Sequence, residues 1–428
     1  MTRVYLDYAA TSPVRPEVFE AMRPWLTTEF GNASTLYQEG KRARQALDEA
    51  RATIARHVGA NPTEIVFTSG GTESNNALII GITQAIRGQK GREKGGNHIV
   101  STAFEHHAVL EPVRTLRREG YETTLIGPTR DGFITPDAFV QALCPHTTLA
   151  SVMTAQNEIG TIQPLFELAT IAHDNNTLLH TDAVQALGKL AFNAHKLNID
   201  AASFSAHKLG GPQGVGAFYL KSRVPFIATQ FGGGQESKRR GGTQNIAGAV
   251  GFAKALECAE HERTQKSSQL ATLRDHLAAT LLALDKRVSL TIPLPALPSP
   301  ATTSRATSQV PSTPHGSTQP LPTSQATSQA TTSQTPSQEL THLPNILSFL
   351  VAGFESETLI LKLDNAGFAI SGGSACSTGS LKPSHVLTAL GIPRTEAHGV
   401  LRVSLGPNTT KKQIDAFVRA FVAAIKTG

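Results

Sequence analysis

Ser203-Phe204-Ser205-Ala206-His207-Lys208-Leu209-Gly210-Gly211-Pro212 is the stretch around which the rest of the chain is organised. A short run of small and apolar residues, the pattern of a buried strand, ends in a lysine, and a Gly-Gly-Pro turn follows at once. A lysine after a buried strand is ordinarily a solvated loop charge. Here it is crowded between His207 and the turn, with two serines upstream, which points to a lysine held in a pocket. Desolvation there lowers an ammonium pKa and frees the amine to form a Schiff base with a carbonyl compound.

Working outward, the chain reads as repeated strand–turn–helix units. Strands are expected at Ile65–Thr68, His98–Thr102, Leu149–Met153, Leu178–His180, Ala202–Ser205 and Val215–Leu220, with helices at Lys41–Val58, Asn75–Ile86, Val109–Glu119 and Leu165–Asp174. Alternating strands and helices predict an α/β fold with a mostly parallel sheet covered on both faces. Ligands in such sheets bind beyond the carboxyl ends of the strands. A long helical stretch from Asn245 to about Leu284 leads towards a smaller α+β region built from Ile346–Leu350, Glu355–Asn365, Pro383–Leu390, Leu401–Leu405 and Lys411–Ile425. The expected division is a large α/β domain over 14–260 and a small α+β domain made of 1–13 and 261–428.

Within the small domain the composition changes abruptly. Residues 291–340 are rich in Pro, Thr, Ser, Gln and Ala, and Thr-Ser-Gln recurs at 307–309, 323–325, 327–329 and 332–334. Such a segment cannot bury enough apolar surface to offset its ordering entropy, so it reads as a disordered insertion. A glycosylated stalk is the other compositional reading.

The 428 residues carry 17% charged and 39% hydrophobic side chains and a net charge of +6, within the range of globular proteins. No basic run interleaved with aromatics suggests nucleic-acid binding. Cys144, Cys258 and Cys376 form no Cys-x-x-Cys pair, so neither a zinc site nor a redox pair is expected. Few cysteines, no apolar signal core after Met1 and no apolar run of about 18 residues make the cytoplasm the expected location, with no membrane contact.

Several motifs fall at expected strand ends. Ser69-Gly70-Gly71-Thr72-Glu73-Ser74-Asn75 lies between a strand and a helix, where glycines admit a phosphate and the helix N-terminus supplies N–H donors; a plain helix start is the competing reading. His106, in Phe104-Glu105-His106-His107, is placed to stack on a flat ring or move a proton, or else belongs to a surface pair. Asp182 in His180-Thr181-Asp182-Ala183-Val184-Gln185 puts a carboxylate at a buried strand end. A protonated pyridine nitrogen is a suitable partner, which makes pyridoxal 5′-phosphate (PLP) the expected carbonyl compound for Lys208. Gln185 is placed to reach the phenolic oxygen, and an N-capping role is the alternative for Asp182. Asn157 follows another strand end, and Gly232-Gly233-Gly234 with Arg239-Arg240-Gly241-Gly242-Thr243 makes a basic, glycine-rich loop. Cys376 lies in Ser371-Gly372-Gly373-Ser374-Ala375-Cys376-Ser377-Thr378-Gly379-Ser380, with little to bury it, and is the candidate nucleophile. Arg402, among apolar neighbours, suits a substrate carboxylate.

Together with Tyr5–Thr11, Phe30-Gly31-Asn32, Asn157-Glu158-Ile159-Gly160 and Ser374-Ala375-Cys376, these motifs make the chain resemble the cysteine desulfurases, a branch of the class V aminotransferase group of fold-type I PLP enzymes. The resemblance runs from Val4 to the last helix and leaves out only the insertion. It implies that Lys208 carries PLP, Asp182 pairs with the ring nitrogen, Gln185 bonds the phenolic oxygen and His106 stacks on the ring. Gly71, Thr72, Ser205 and His207 would surround the phosphate, and Thr243 would reach the cofactor of the other subunit of a homodimer. Asn32, Asn157 and Arg402 would bind L-cysteine, and Cys376 would take its sulfur as a persulfide, releasing alanine. The sulfur acceptor would be an iron–sulfur scaffold protein or a tRNA- or cofactor-thiolation enzyme. Tyr37 stands where the family usually has a histidine, and the chain ends at Gly428 without the longer tail by which some relatives dock a scaffold protein. A selenocysteine-specific relative, a transaminase and a non-catalytic sulfur relay are the alternatives; Cys376 argues against the second, and Lys208, Asp182 and Cys376 together against the third.

Overall fold

The computed structural model describes residues 3–87, 96–294, 340–373 and 384–426. Cys376 and nearly all of the 291–340 insertion lie outside the described residues. Met1–Leu294 with Thr341–Gly428 forms one compact unit, and every helix and strand named below belongs to it.

In chain order the elements are β1 (Val4–Tyr5), α1 (Pro16–Leu26), α2 (Gln38–Val58), β2 (Ile65–Thr68), α3 (Gly71–Arg87), β3 (His98–Thr102), α4 (His107–Arg118), β4 (Glu122–Ile126), α5 (Pro136–Ala142), β5 (Thr147–Ser151), α6 (Leu165–Asp174), β6 (Leu178–Asp182), β7 (Ala201–Ser205) and β8 (Gly216–Leu220). They continue with α7 (Ile246–Leu284), β9 (Val288–Leu290), β10 (Ile346–Val351), α8 (Ser356–Asn365), β11 (Phe368–Ala369), α9 (His385–Ala389), α10 (Arg394–Ala397), β12 (Val400–Ser404) and α11 (Lys411–Lys426).

The main sheet has seven strands in the order β2-β8-β7-β6-β5-β3-β4. Strands β3 to β7 are parallel, and β8 runs antiparallel between β7 and β2. Alternate residues of one strand serve opposite faces. Ile99 and Leu149 join Ile79, Ile82, Val109 and Val113 of α3 and α4 in one core cluster. Their neighbours Val100 and Ala150 join Leu47, Ile54, Leu168 and Phe252 of α2, α6 and α7 in another. Double-sided burial is why these strands lack a polar alternation. The edge strand β4 escapes the sequence reading for the opposite reason: its Glu122-Thr123-Thr124 start is exposed or half-buried and carries no apolar pattern.

A second, three-stranded antiparallel sheet has the order β12-β10-β9. It packs with Leu273, Leu277 and Leu281 of α7 and with Phe417 and Phe421 of α11. Helix α7 is one 39-residue rod whose first half is buried against α1 and α2 and whose last half serves this second cluster. Strand β1 pairs in parallel with β11, and Tyr8 N–H donates to Ser404 O at 3.2 Å. These pairings draw the segment from Val4 to Ala10 between the two sheets and towards the carboxyl ends of the parallel strands.

Candidate active site

The carboxyl ends of β2, β3, β5, β6 and β7 open on a cavity of ≈ 250 Å³. Lys208 enters it from a single 3-10 turn, Ala206–Lys208, directly after β7, and its Nζ donates to Ala9 O at 2.7 Å and to Ala10 O. Asp182 is the last residue of β6 and is buried. Its Oδ2 accepts from Asn75 Nδ2 at 2.7 Å and its Oδ1 from Val184 N–H at 2.9 Å. Asn75 lines the same cavity and is buried in the polar first turns of α3, between Ser74 and Asn76, where nothing local in the sequence sets it apart from its neighbours.

Helix α3 starts at Gly71, earlier than the sequence pattern suggests, so Gly71 and Thr72 stand at its N-terminus and line the cavity. A Cβ on Gly71 would sit 2.7 Å from Val184 Cγ2; glycine lets the helix end approach this wall. Ser205 and His207 complete this side. Burial, with Lys208 and Lys189 adding, pushes the His207 imidazole down to about 4, so it is neutral, and its Nδ1 lies 3.0 Å from Thr11 Oγ1.

His106 caps α4: its Nδ1 accepts from Ala108 N–H at 3.1 Å. Burial holds this imidazole below its ordinary value, Asp182 opposing and Lys208 adding. Beneath it Glu105 is fully buried, and burial with the nearby Asp182 carboxylate pushes its carboxyl up to about 8. Its Oε1 accepts from Met153 N–H at 2.7 Å and Thr102 Oγ at 3.0 Å.

Arg402 reaches the cavity from β12 and is 1% exposed. Its Nη1 donates to Asn157 O at 3.0 Å and its Nη2 to Asp7 Oδ1 at 2.8 Å. Arg402 Nε and Asn157 Oδ1 are buried without a partner among the described residues. Buried polar atoms are seldom left so, and a lining with this arginine, asparagine, lysine and aspartate suits a charged, polar ligand. Gln185 donates through Nε2 to Ala9 O at 2.8 Å.

Two expected residues do not line this cavity. Asn32 is exposed and its Oδ1 accepts from Ser34 N–H at 2.9 Å, and Thr243 is exposed in the glycine-rich loop. The basic side chains of that loop are engaged within the chain: Arg240 pairs with Glu73 at 2.8 Å and Arg239 donates to Thr63 O at 2.8 Å. Among the described residues no group of His, Cys, Asp and Glu is arranged to hold a metal ion, and no helix is long and apolar enough to cross a membrane.

The family model for aminotransferase class-V matches residues 4–312 and 325–417. The chain belongs to this family. Cysteine desulfurase IscS of Dictyoglomus turgidum is 40% identical over 412 residues, covering 96% of this chain and 92% of that protein. Cysteine desulfurase IscS of Methanosarcina thermophila is also 40% identical over 412 residues, covering 96% and 89%. Among solved structures, a NifS-like protein superposes with a TM-score of 0.83 at 30% identity, each chain fully covered. Within the class-V aminotransferases the kinship is thus with the cysteine desulfurases, and like them the chain is a PLP-dependent enzyme. The cavity fits that cofactor. It offers an amine at Lys208, a buried carboxylate at Asp182 and a flat imidazole at His106. A helix N-terminus with Thr72 and Ser205 is suited to a phosphate.

Proposed function

We propose that this class-V aminotransferase converts L-cysteine to L-alanine and stores the sulfur as a persulfide on Cys376. When bound, PLP supplies an electron sink for the substrate's α-carbon. Lys208 would hold the cofactor and move the α-proton at Nζ. Asp182 would keep a proton on the ring nitrogen, Gln185 would donate to the phenolic oxygen, and His106 would cover the ring. Gly71, Thr72, Ser205 and His207 would receive the phosphate. Arg402 and Asn157 would bind the substrate carboxylate, and Asn32 is retained as a substrate contact. The Cys376 thiolate would attack the substrate sulfur: an S–S bond forms, the C–S bond breaks, and its electron pair stays with carbon, which is protonated to alanine.

The observation that carries this reading is the buried guanidinium of Arg402, which lines the same cavity as Lys208 and Asp182. Both ends of the segment bearing Cys376 support it. Ser384 Oγ donates to Glu158 Oε2 at 2.6 Å, and that oxygen lies 2.9 Å from where a Cβ on Gly373 would be; Glu158 adjoins Asn157.

The persulfide would pass to an acceptor protein in iron–sulfur cluster assembly or in tRNA or cofactor thiolation, in the cytoplasm. A homodimer with Thr243 reaching the partner's cofactor is supported by the exposure of Phe30, Leu36 and Phe231, at 72%, 87% and 84%. We retain the division into a large domain (14–260) and a small domain (1–13 and 261–428). Mass spectrometry after exposure to L-cysteine tests the reading. A sulfur adduct on Cys376 and alanine in solution are expected; alanine production undiminished in Cys376→Ala would overturn it.

A further inference from the structure

Lys189 is a half-buried cation to which the proposed chemistry gives no part. Gly188, at φ +72°, turns the chain back after β6, and Lys189 Nζ then donates to Gln185 O at 3.0 Å and to Gln185 Oε1 at 3.1 Å. Its remaining surface lines a second cavity of ≈ 200 Å³ that shares Lys208 with the first. Burial, with Lys208 adding, pushes the Lys189 ammonium down to about 7. Besides Lys208, the charged groups around that second cavity are Arg15, Glu262, Arg263 and Lys266.

The two ends of a glutamine amide are chemically opposite: one accepts and the other donates. An ammonium only donates, so the end of Gln185 facing Lys189 is its oxygen. The other end then points N–H groups away from Lys189, and one of them donates to Ala9 O, which also accepts from Lys208 Nζ. The second N–H has no partner among the described residues, and Gln185 lines the first cavity. We infer that Lys189 is a positioning residue, which by donating to Gln185 Oε1 commits the Gln185 amide to presenting a donor to the cofactor's phenolic oxygen. This rests on the PLP reading of the first cavity. It adds that the polarity of this contact is imposed from outside the cofactor pocket.

The test uses the full-chain holoenzyme and reads the pH midpoint at which the cofactor's visible absorption band changes, in wild type, Lys189→Met, Gln185→Met and the double variant. A donor to an ionised oxygen favours the deprotonated chromophore, so its loss raises the midpoint. Lys189→Met is expected to raise it by about one pH unit, the scale of one hydrogen bond to an ionised group. The double variant is expected to fall short of the sum of the single shifts, because both changes remove the same contact. A midpoint equal to wild type, or shifts that add fully in the double variant, overturns the inference while leaving the PLP reading intact. A wild-type protein that acquires no visible band with PLP overturns both. Lys189→Leu carries the same comparison should Lys189→Met not fold.

Discussion

Arg402 Nη2 lies 2.8 Å from Asp7 Oδ1, an ion pair between residues 395 positions apart in the chain. The second Asp7 oxygen accepts from Ser371 Oγ at 2.6 Å. Both terminal nitrogens of the guanidinium are thereby engaged within the chain, and Nε has no partner among the described residues. Removing one partner of a buried pair leaves an uncompensated charge. Asp7→Asn is therefore expected to lower stability by about 3 kcal/mol, measured as a fall in the urea midpoint of the apoprotein.

Arg402→Gln removes the cationic donors proposed for the substrate carboxylate but touches none of the groups assigned to the cofactor. Its KM for L-cysteine should rise by about ten- to a hundredfold, the worth of a hydrogen bond between charged groups. The PLP absorption spectrum without substrate should be unchanged, and a spectrum that changes as much as KM would place Arg402 on the cofactor.

Asn75 donates to Asp182 Oδ2 at 2.7 Å inside the protein. Asn75→Ala leaves that carboxylate one hydrogen bond short, at a cost of about 2 kcal/mol. If Asp182 pairs with the ring nitrogen, the loss appears as PLP released more than tenfold faster in dialysis against a competing aldehyde trap. Equal retention by the variant and the wild type would separate Asn75 from the cofactor.

Glu105 supplies a pH dependence of known sign. Its carboxyl is raised from 4.5 to about 8 in the folded protein, so the folded state holds this proton more tightly than the unfolded state. Folding then loses stability through this group as pH rises through the window from 4.5 to about 8, and the loss is constant above it. Glu105→Gln removes the ionisation. Its melting temperature should gain on wild type progressively between pH 5 and pH 8, and a difference independent of pH would show that Glu105 is ionised throughout.

Strands β9 and β10 are antiparallel neighbours, and Thr291 N–H still donates to Ser348 O at 3.2 Å just before the chain departs into 295–339. A ladder of this kind can be closed by a short turn, and loop length costs little. Replacing residues 295–339 by a short Gly-Ser linker should preserve the circular dichroism spectrum and PLP binding. Insoluble protein or lost absorbance would assign the insertion a structural part.

Much of the site was legible because its residues announce themselves locally. Lys208 and Asp182 are charged residues closing runs of small and apolar ones, a pattern that burial physics makes unusual. What stayed hidden depends on contacts made far away in sequence. Asp7 is an ordinary turn residue until β1 pairs with β11 and brings it to Arg402. Lys189 follows a glycine and looks like a surface turn; only the packed structure shows that it is half-buried and tied to Gln185. The boundary of α3 was set too late because glycines at a helix start resemble a loop, although Gly71 and Thr72 belong to its first turn.

The carbonyls that receive Lys208 Nζ belong to Ala9 and Ala10, in a segment secured by hydrogen bonds to Ala369 and Ser404. The segment around residue 8 thus depends on residues near 369 and 404 before it can take its place. A nascent chain that has already completed all seven strands of the main sheet still lacks Arg402 and the anchors of residues 6 to 9. Long-range closure of this kind is slow and comes late in folding. Completion of the site therefore depends on β11 and β12, strands that follow the whole of the main sheet in the chain.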